Sequence, residues 1–249
     1  MITKPILSAA DAAKRVSDGM TVLVPGFLAC GTPETLIDAV IAAGTKDLTA
    51  VCNDSAYPDR GIGKLIRHKR LRRFITTHQG TNPDMKNNTG GQKGVGSLLC
   101  EAPEGPFQQK TPDPFLTAGG DSGAIEVELV PQGTLIERMR AAGAGLGGVL
   151  TPTGLGTPVE NGKRKIEVNG NEFLLEAPLR GDVALIRAEL ADRAGNLIYR
   201  HTARNFNPVM ATAAACVIAE VGRVVEIGEL DPDRVETPGI FVDVLVLRP

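Results

Sequence analysis

Tryptophan is absent from these 249 residues, and other aromatic side chains are scarce, with two tyrosines and seven phenylalanines. So few flat side chains leave no platform on which successive bases could stack. A basic excess is missing too. Lysine and arginine number 27 against 29 acidic residues, a formal net charge of −2, so the electrostatic footprint of a nucleic-acid binder is lacking. The four cysteines, Cys30, Cys52, Cys100 and Cys216, form no C-x-x-C pair, and the three histidines add no cluster with metal-ligand spacing. That pattern argues against a zinc site and a disulfide framework, and reduced thiols fit the cytosol. No stretch stays apolar for the roughly 18 residues that a membrane-spanning helix needs. The opening MITKPILSAADAAKRVSDG is interrupted by Asp11, Lys14 and Arg15, which does not suit a secretory signal. The expected location is cytoplasmic, with neither membrane nor nucleic acid as a partner.

What is present is an alternation of short apolar strands and amphipathic helices. Hydrophobic residues make up 42% of the chain, enough to bury one large core. Ser8 is placed to cap a helix over residues 9–17, with Asp11 at its positive end. Residues 20–24 read as a strand. Thr32 is a candidate N-cap with Pro33 at the first helical position. Leu36, Ile37, Val40 and Ile41 then make one apolar stripe, and Gly44 stops the helix. Residues 47–52 (DLTAVC) and 72–77 (RRFITT) read as further strands, separated by a helix near residues 63–68. This order predicts a parallel sheet with right-handed crossovers. Residues 125–130 (IEVELV) form another strand and residues 131–142 a helix. Asn169-Gly170 between two β-prone runs predicts a hairpin. Residues 183–186 (VALI), 216–219 (CVIA) and 241–247 complete the strands, with a helix from Asn207-Pro208 to Ala215. Cys52 and Cys216 lie in apolar runs and are expected in the core. No internal repeat appears. The expected organisation is a single α/β domain over 1–249, its mostly parallel sheet sandwiched by helices, with a Gly/Pro-rich insertion at about 86–122.

Two motifs attract attention for the wrong reasons. Gly143, Gly145 and Gly148 fit G-x-G-x-x-G, the mark of an NAD(P)-dependent oxidoreductase, but that fingerprint follows a strand and opens a helix. Here a helix precedes it and a Thr-Pro loop follows, so a glycine loop packed against other backbone is expected. Lys163-Arg164-Lys165 reads as a solvated turn flank. Of the histidines, His68 is expected in solvent, His78 near the ligand edge of the sheet, and His201 without a carboxylate partner.

The stretch TVLVPGFLACGTPETL, residues 21–36, is the informative one. A strand runs into Pro25-Gly26-Phe27, three residues follow, and then Gly31-Thr32-Pro33 opens a helix. With its lead-in Asp18-Gly19, it resembles the signature of the small or α subunit of the family I coenzyme A transferases. Pro25 departs from that signature, standing where a first glycine is expected and removing one backbone N–H. The segments THQGTNP (77–83), VELVPQGTLIERMRAAGAGLGGVLTPTGLGT (127–157), LLEAPLRGDVALIRAELADRAGNL (174–197) and ARNFNP (203–208) are similar to the α chains of the acetate, acetoacetate or butyrate type.

The resemblance implies the CoA-transferase (NagB/RpiA-like) fold and an exchange of CoA between a short-chain acyl-CoA and a carboxylic acid such as acetate. It implies ping-pong kinetics through a glutamyl-CoA thioester, with the nucleophilic glutamate on a β subunit in a Ser-Glu-Asn-Gly motif. Glu160-Asn161-Gly162 imitates that motif, but Val159 replaces the serine and basic residues follow, so no catalytic nucleophile is expected in this chain. The partner is then a CoA-transferase β subunit, by analogy in an α2β2 assembly. No metal and no tightly bound cofactor are expected, and coenzyme A enters as a co-substrate. An alternative is a non-catalytic acyl-CoA-binding or regulatory subunit. The resemblance places oxyanion-stabilising backbone at Gly26 and Phe27, aided by the N-terminus of the next helix, with Gly26 letting ligand approach the backbone and Phe27 walling the acyl pocket. It places substrate and CoA binding along Pro25, Gly26, Phe27, Leu28, Ala29, Cys30 and Gly31, with Gln79, Asn205 and Asn207 as further candidates. The two asparagines either hold a carboxylate or order the loop, and Asn207 is also a possible N-cap.

Overall fold

The computed structural model describes residues 3–88 and 124–249. The expected insertion falls largely on residues 89–123 and so lies outside the described residues. In chain order the elements are β1 (Ile6–Leu7), α1 (Ala9–Ala13), β2 (Thr21–Leu23), α2 (Glu34–Ala42), β3 (Leu48–Val51), α3 (Ile62–Arg67), β4 (Leu71–Thr76), α4 (Asp84–Asn88), β5 (Glu126–Leu129) and α5 (Gln132–Gly143). Then come β6 (Val149–Thr151), β7 (Lys165–Val168), β8 (Asn171–Glu176), β9 (Gly181–Asp192), β10 (Leu197–Ile198), α6 (Asn207–Thr212), β11 (Ala214–Val225) and β12 (Val244–Leu247).

The main sheet runs β1-β12-β11-β9-β2-β3-β4-β5. Each neighbouring pair along that path is parallel, and β10 joins β9 antiparallel. Alternation decides which side each residue feeds. Val22, Ala50, Phe74, Val183 and Leu185 enter one apolar layer with Leu36, Ile37 and Val40 of α2 and Leu65 and Ile66 of α3. Leu23, Val51, Ile75, Ala184 and Ile186 enter the other with Leu135 and Met139 of α5 and Met210 of α6. Both faces of a parallel sheet are therefore covered. Strands β6, β8 and β7 form a separate antiparallel sheet. Its hairpin turns at Asn169 (φ 51°) and Gly170 (φ 75°), both left-handed as a type I′ turn requires.

Ser8 caps α1 by accepting the Asp11 N–H, but the helix ends at Ala13, before the expected residue 17. Cys52 is buried, whereas Cys216 is only half-buried. Strands β9 and β11 each run twelve residues, three times the apolar cores VALI and CVIA that betray them in sequence. One expectation is overturned outright. Lys163 is not a solvated flank: its ammonium lies 2.5 Å from Glu176, and both side chains are buried. Arg164 and Lys165 remain exposed. Among the described residues, no helix is long and apolar enough to cross a membrane.

Candidate functional site

The chain moves from β2 outward to β5 on one side and from β9 through β11 to β12 on the other, where β1, the first strand of the chain, flanks β12. The order of strands thus reverses between β2 and β9. In open parallel sheets, ligands bind beyond the carboxyl ends of the strands at such a reversal. The connection that leaves β2 there is residues 24–33, the stretch singled out in the sequence.

Its conformation is set by hydrogen bonds and by backbone sterics. Phe27 and Cys30 pair across a tight turn, with Phe27 N–H donating to Cys30 O at 3.2 Å and Cys30 N–H to Phe27 O at 2.9 Å. The two central residues, Leu28 (φ 49°) and Ala29 (φ 68°), are left-handed without being glycine, a strain of roughly 1–2 kcal/mol each. Buried Asp54, just past β3, holds the turn by accepting Leu28 N–H at 3.0 Å. The same carboxylate accepts Ala56 N–H and the Asn53 side-chain amide, both at 2.8 Å. Asn53 in turn accepts the Gln132 amide at 2.6 Å, which brings the first residue of α5 toward the same place.

Gly26 has φ 141°, and a Cβ there would sit 2.2 Å from Thr32 Oγ1. That hydroxyl donates to Pro25 O at 3.1 Å. The glycine is therefore demanded by the loop's own closure, since a Cβ here would be driven into Thr32. Thr32, spent in this way, does not cap α2. The N-cap is Pro33 and the helix begins at Glu34, one residue later than expected. The positive end of α2 is also occupied. Thr35 N–H and Leu36 N–H donate to Glu220 Oε2 at 2.8 and 3.1 Å, so a ligand anion finds these donors already taken.

Phe27's N–H closes the turn and is not free to meet an oxyanion. Gly26, Ala29 and Gly31 give their N–H groups to no protein acceptor among the described residues. Around these donors the surface is apolar. Phe27 is 52% exposed, Leu28 36%, and Tyr57 of the next loop 41%.

The segment ARNFNP reaches the loop from the far side of β9. Asn205 donates to Cys30 O at 2.9 Å and to Thr202 O at 2.8 Å. Asn207 donates to Gly31 O at 3.0 Å and Ala203 O at 2.6 Å, and accepts Arg187 N–H at 2.8 Å. It is fully buried, so its amide orders the loop. It does not cap α6, whose N-cap is Phe206. Cys30 Sγ lies 3.2 Å from Thr202 Oγ1. Gln79 sits past β4 with a buried, unpartnered Oε1, and exposed His78 lies beside it.

Glu160 lies elsewhere. Its contacts stay within residues 156–165: the Gly156 N–H at 2.6 Å and Lys165 Nζ at 3.2 Å. These partners, the Gly156 N–H foremost, hold its carboxyl below the usual range. Two of the three G-x-G-x-x-G glycines serve packing, while Gly145 has open space beside it and a left-handed φ of 70°. A Cβ on Gly143 would meet Thr212 Oγ1 at 2.3 Å, and one on Gly148 would meet Glu176 O at 2.8 Å. Helix α5 precedes them and β6 follows, the reverse of a dinucleotide fingerprint.

Asp54, Glu220 and Arg187 are loop-holding residues that the sequence reading missed. An acidic residue inside the apolar run CVIAEV was the available signal for Glu220. Asp54, in NDS directly after a buried strand, was the signal for the other carboxylate.

Residues 6–248 match the family model described as coenzyme A transferase. The chain belongs to the coenzyme A transferase family. It is 44% identical over 232 residues to the alpha chain of the acetoacetyl-CoA:acetate/butyrate CoA transferase of Clostridium acetobutylicum, covering 93% of this chain and 92% of that one. It is 43% identical over 242 residues to the alpha chain of the acetate CoA-transferase of Escherichia coli K12, covering 97% and 96%. Among solved structures it resembles an acyl-CoA transferase (YdiF, apoenzyme) from Escherichia coli O157:H7, with a TM-score of 0.73 at 22% identity. That match covers 99% of this chain but 47% of the other, so this chain spans about half of it.

Proposed function

We propose that this chain is the α subunit of a two-chain transferase that moves CoA between a short-chain acyl-CoA and a carboxylic acid. The substrates would be of the acetoacetyl-CoA or butyryl-CoA and acetate kind. The observation that carries the reading is the loop at the strand reversal, with the Gly26 N–H uncommitted beside exposed Phe27 and Leu28.

The proposed chemistry runs in two halves. A carboxylate of the partner β chain attacks the thioester carbonyl, giving a mixed anhydride as the CoA thiolate leaves. The thiolate then attacks the glutamyl carbonyl, releasing the first acid and leaving a glutamyl-CoA thioester. The incoming acid repeats the sequence in reverse. Every attack puts negative charge on a carbonyl oxygen, and a well-placed backbone donor is worth ~2.7–4 kcal/mol at that moment. Gly26 is the donor assigned here, Phe27 and Leu28 keep water from the anhydride, and Asn205 and Asn207 fix the loop. That this chain spans about half of the chain of a solved acyl-CoA transferase, and that its relatives are named alpha subunits, supports a second chain supplying the rest, in an α2β2 or comparable assembly.

The test is to mix the chain with the product of the adjacent reading frame and follow loss of acetoacetyl-CoA on addition of acetate. Turnover by the mixture and by neither chain alone supports the proposal. Pro25, which lacks an N–H, favours a second reading, a chain that binds acyl-CoA without turnover. Tight CoA binding by an inactive mixture would support that instead.

A further inference from the structure

Glu220 is 1% exposed, in the middle of β11. One carboxylate oxygen receives two N–H groups from the first turn of α2, while the other, Oε1, is buried without a partner. Taking a carboxylate out of water is costly unless its lone pairs are satisfied, so as a stabiliser this group is badly equipped. As a fixed point it is well equipped. Charge-assisted bonds are short and directional, and these two are made to the helix that begins directly after the loop.

Glu220 also has a particular neighbour. In the β9–β11 register it stands opposite Arg187. Arg187 donates from Nη1 to Thr32 O at 3.4 Å, and its backbone N–H is held by Asn207, which donates to Gly31 O. Four anchor points, Gly31 O, Thr32 O, Thr35 N and Leu36 N, are thus tied to three buried or half-buried side chains on β9, β11 and α6. Strand β2 ends at Leu23 opposite Ala184, so Arg187 and Glu220 lie where the two long strands continue past it, alongside the loop. We propose that Glu220 is a positioning residue: through Thr35 and Leu36 it fixes where α2 starts, and hence where the Gly26 N–H points, for the transferase chemistry. The catalytic part of this inference rests on the function proposed above, whereas the anchoring part does not.

The charged groups facing Glu220 are Arg187 on β9 and Arg248 after β12, while α2 offers it backbone N–H groups. Burial raises the Glu220 carboxyl above its ordinary value, and the two N–H bonds and the two arginines oppose that rise. The two N–H bonds favour the ionised carboxylate, so protonation, which sets in above the ordinary glutamate range, weakens them and loosens the start of α2 while Glu220 itself stays buried.

The experiment is amide hydrogen exchange, read by peptide mass on the isolated chain, for wild type, Glu220→Ala and Glu220→Gln. In Glu220→Ala the peptide spanning residues 25–36 should exchange at least tenfold faster, with β9 and β11 peptides unchanged. Glu220→Gln keeps one acceptor oxygen and should restore at least half of the protection. In the assembled enzyme, Glu220→Ala should lower kcat at least tenfold with KM for acyl-CoA changed less than twofold. In the wild type, exchange at residues 25–36, corrected for its intrinsic pH dependence, should accelerate as acid protonates the carboxyl, and Glu220→Gln should lack that inflection. The wild-type measurement decides the matter even where Glu220→Ala does not fold. Unchanged exchange at residues 25–36 in a folded Glu220→Ala, exchange raised equally throughout, or the same acid inflection in Glu220→Gln would each overturn the anchoring role. Faster loop exchange with kcat unaltered would overturn the catalytic part. An assembly inactive even as wild type would instead refute the proposed function and leave the exchange result standing.

Discussion

Replacing Gly26 by alanine tests whether the loop's shape is dictated from within. The residue's φ is 141°, and an added Cβ would lie 2.2 Å from Thr32 Oγ1. Holding an L-residue in that backbone region costs on the order of 1–3 kcal/mol. The contact is closer than atoms permit, so Thr32 must rotate and give up its bond to Pro25 O, a further loss of about 1 kcal/mol. Alanine restricts the unfolded chain, which returns roughly 0.4–1 kcal/mol. The net expectation is about 1–3.5 kcal/mol of destabilisation. For a domain of this size that corresponds to roughly 2–14 °C in Tm, a drop that leaves the chain folded if its stability is ordinary, about 5–15 kcal/mol. Thermal and urea melts of wild type, Gly26→Ala, Thr32→Ala and the double variant separate the two terms. In the double variant the steric overlap disappears while the backbone strain remains, so it should be more stable than the sum of the singles by about 1 kcal/mol. A Gly26→Ala protein that melts within a degree of wild type would refute the reasoning. So would strict additivity with Thr32→Ala, because the overlap could then not be the cause.

Three further outcomes follow from particular side chains. Lys69 closes α3 in the left-handed region (φ 54°), with Lys69 N–H bonded to Ile66 O and Arg70 N–H to Leu65 O; glycine suits that position, so Lys69→Gly should raise stability by about 0.5–1 kcal/mol in urea and leave activity alone. The thiol of Cys52 is buried and pushed up to about 12, first by desolvation and then by Asp54, whereas Cys30 is exposed; peptide-resolved alkylation at pH 8 should label Cys30 within minutes and Cys52 only on unfolding. Lys163→Met strands the Glu176 carboxylate in the interior and should cost ~3–5 kcal/mol by denaturation, while Lys163→Met with Glu176→Leu should recover most of it.

Much of the fold was legible because it is written in short-range terms. Apolar alternation located the strands, Ser8 announced a cap, and Asn169-Gly170 announced a hairpin. The reading stopped short where residues answer to distant partners. In the sequence β9 and β11 show only as their apolar cores, because Arg187, Glu189 and Glu220 look like solvent residues until the rest of the fold supplies their neighbours. Thr32 looked like a cap for α2. Its hydroxyl went instead to Pro25, and the capping carboxylate came from Glu220, 185 positions away in the case of Thr35. Lys163 looked solvated for the same reason, since Glu176 lies across the small sheet. The site was legible as a loop but not as a mechanism. The sequence pointed to residues 25–31, yet which N–H groups remain free depended on the bonds that Leu28 and Phe27 donate to Asp54 and Cys30 O, which no local pattern announces.

The central claim is that this chain supplies main-chain donors while another chain carries the acyl group. Its most direct test is the intact mass of each chain after the assembled enzyme has been incubated with acyl-CoA and trapped with hydroxylamine. The account predicts a hydroxamate on a glutamate of the partner and an unmodified mass for this chain. A hydroxamate on this chain, at Glu160 or at any other carboxylate, would contradict it.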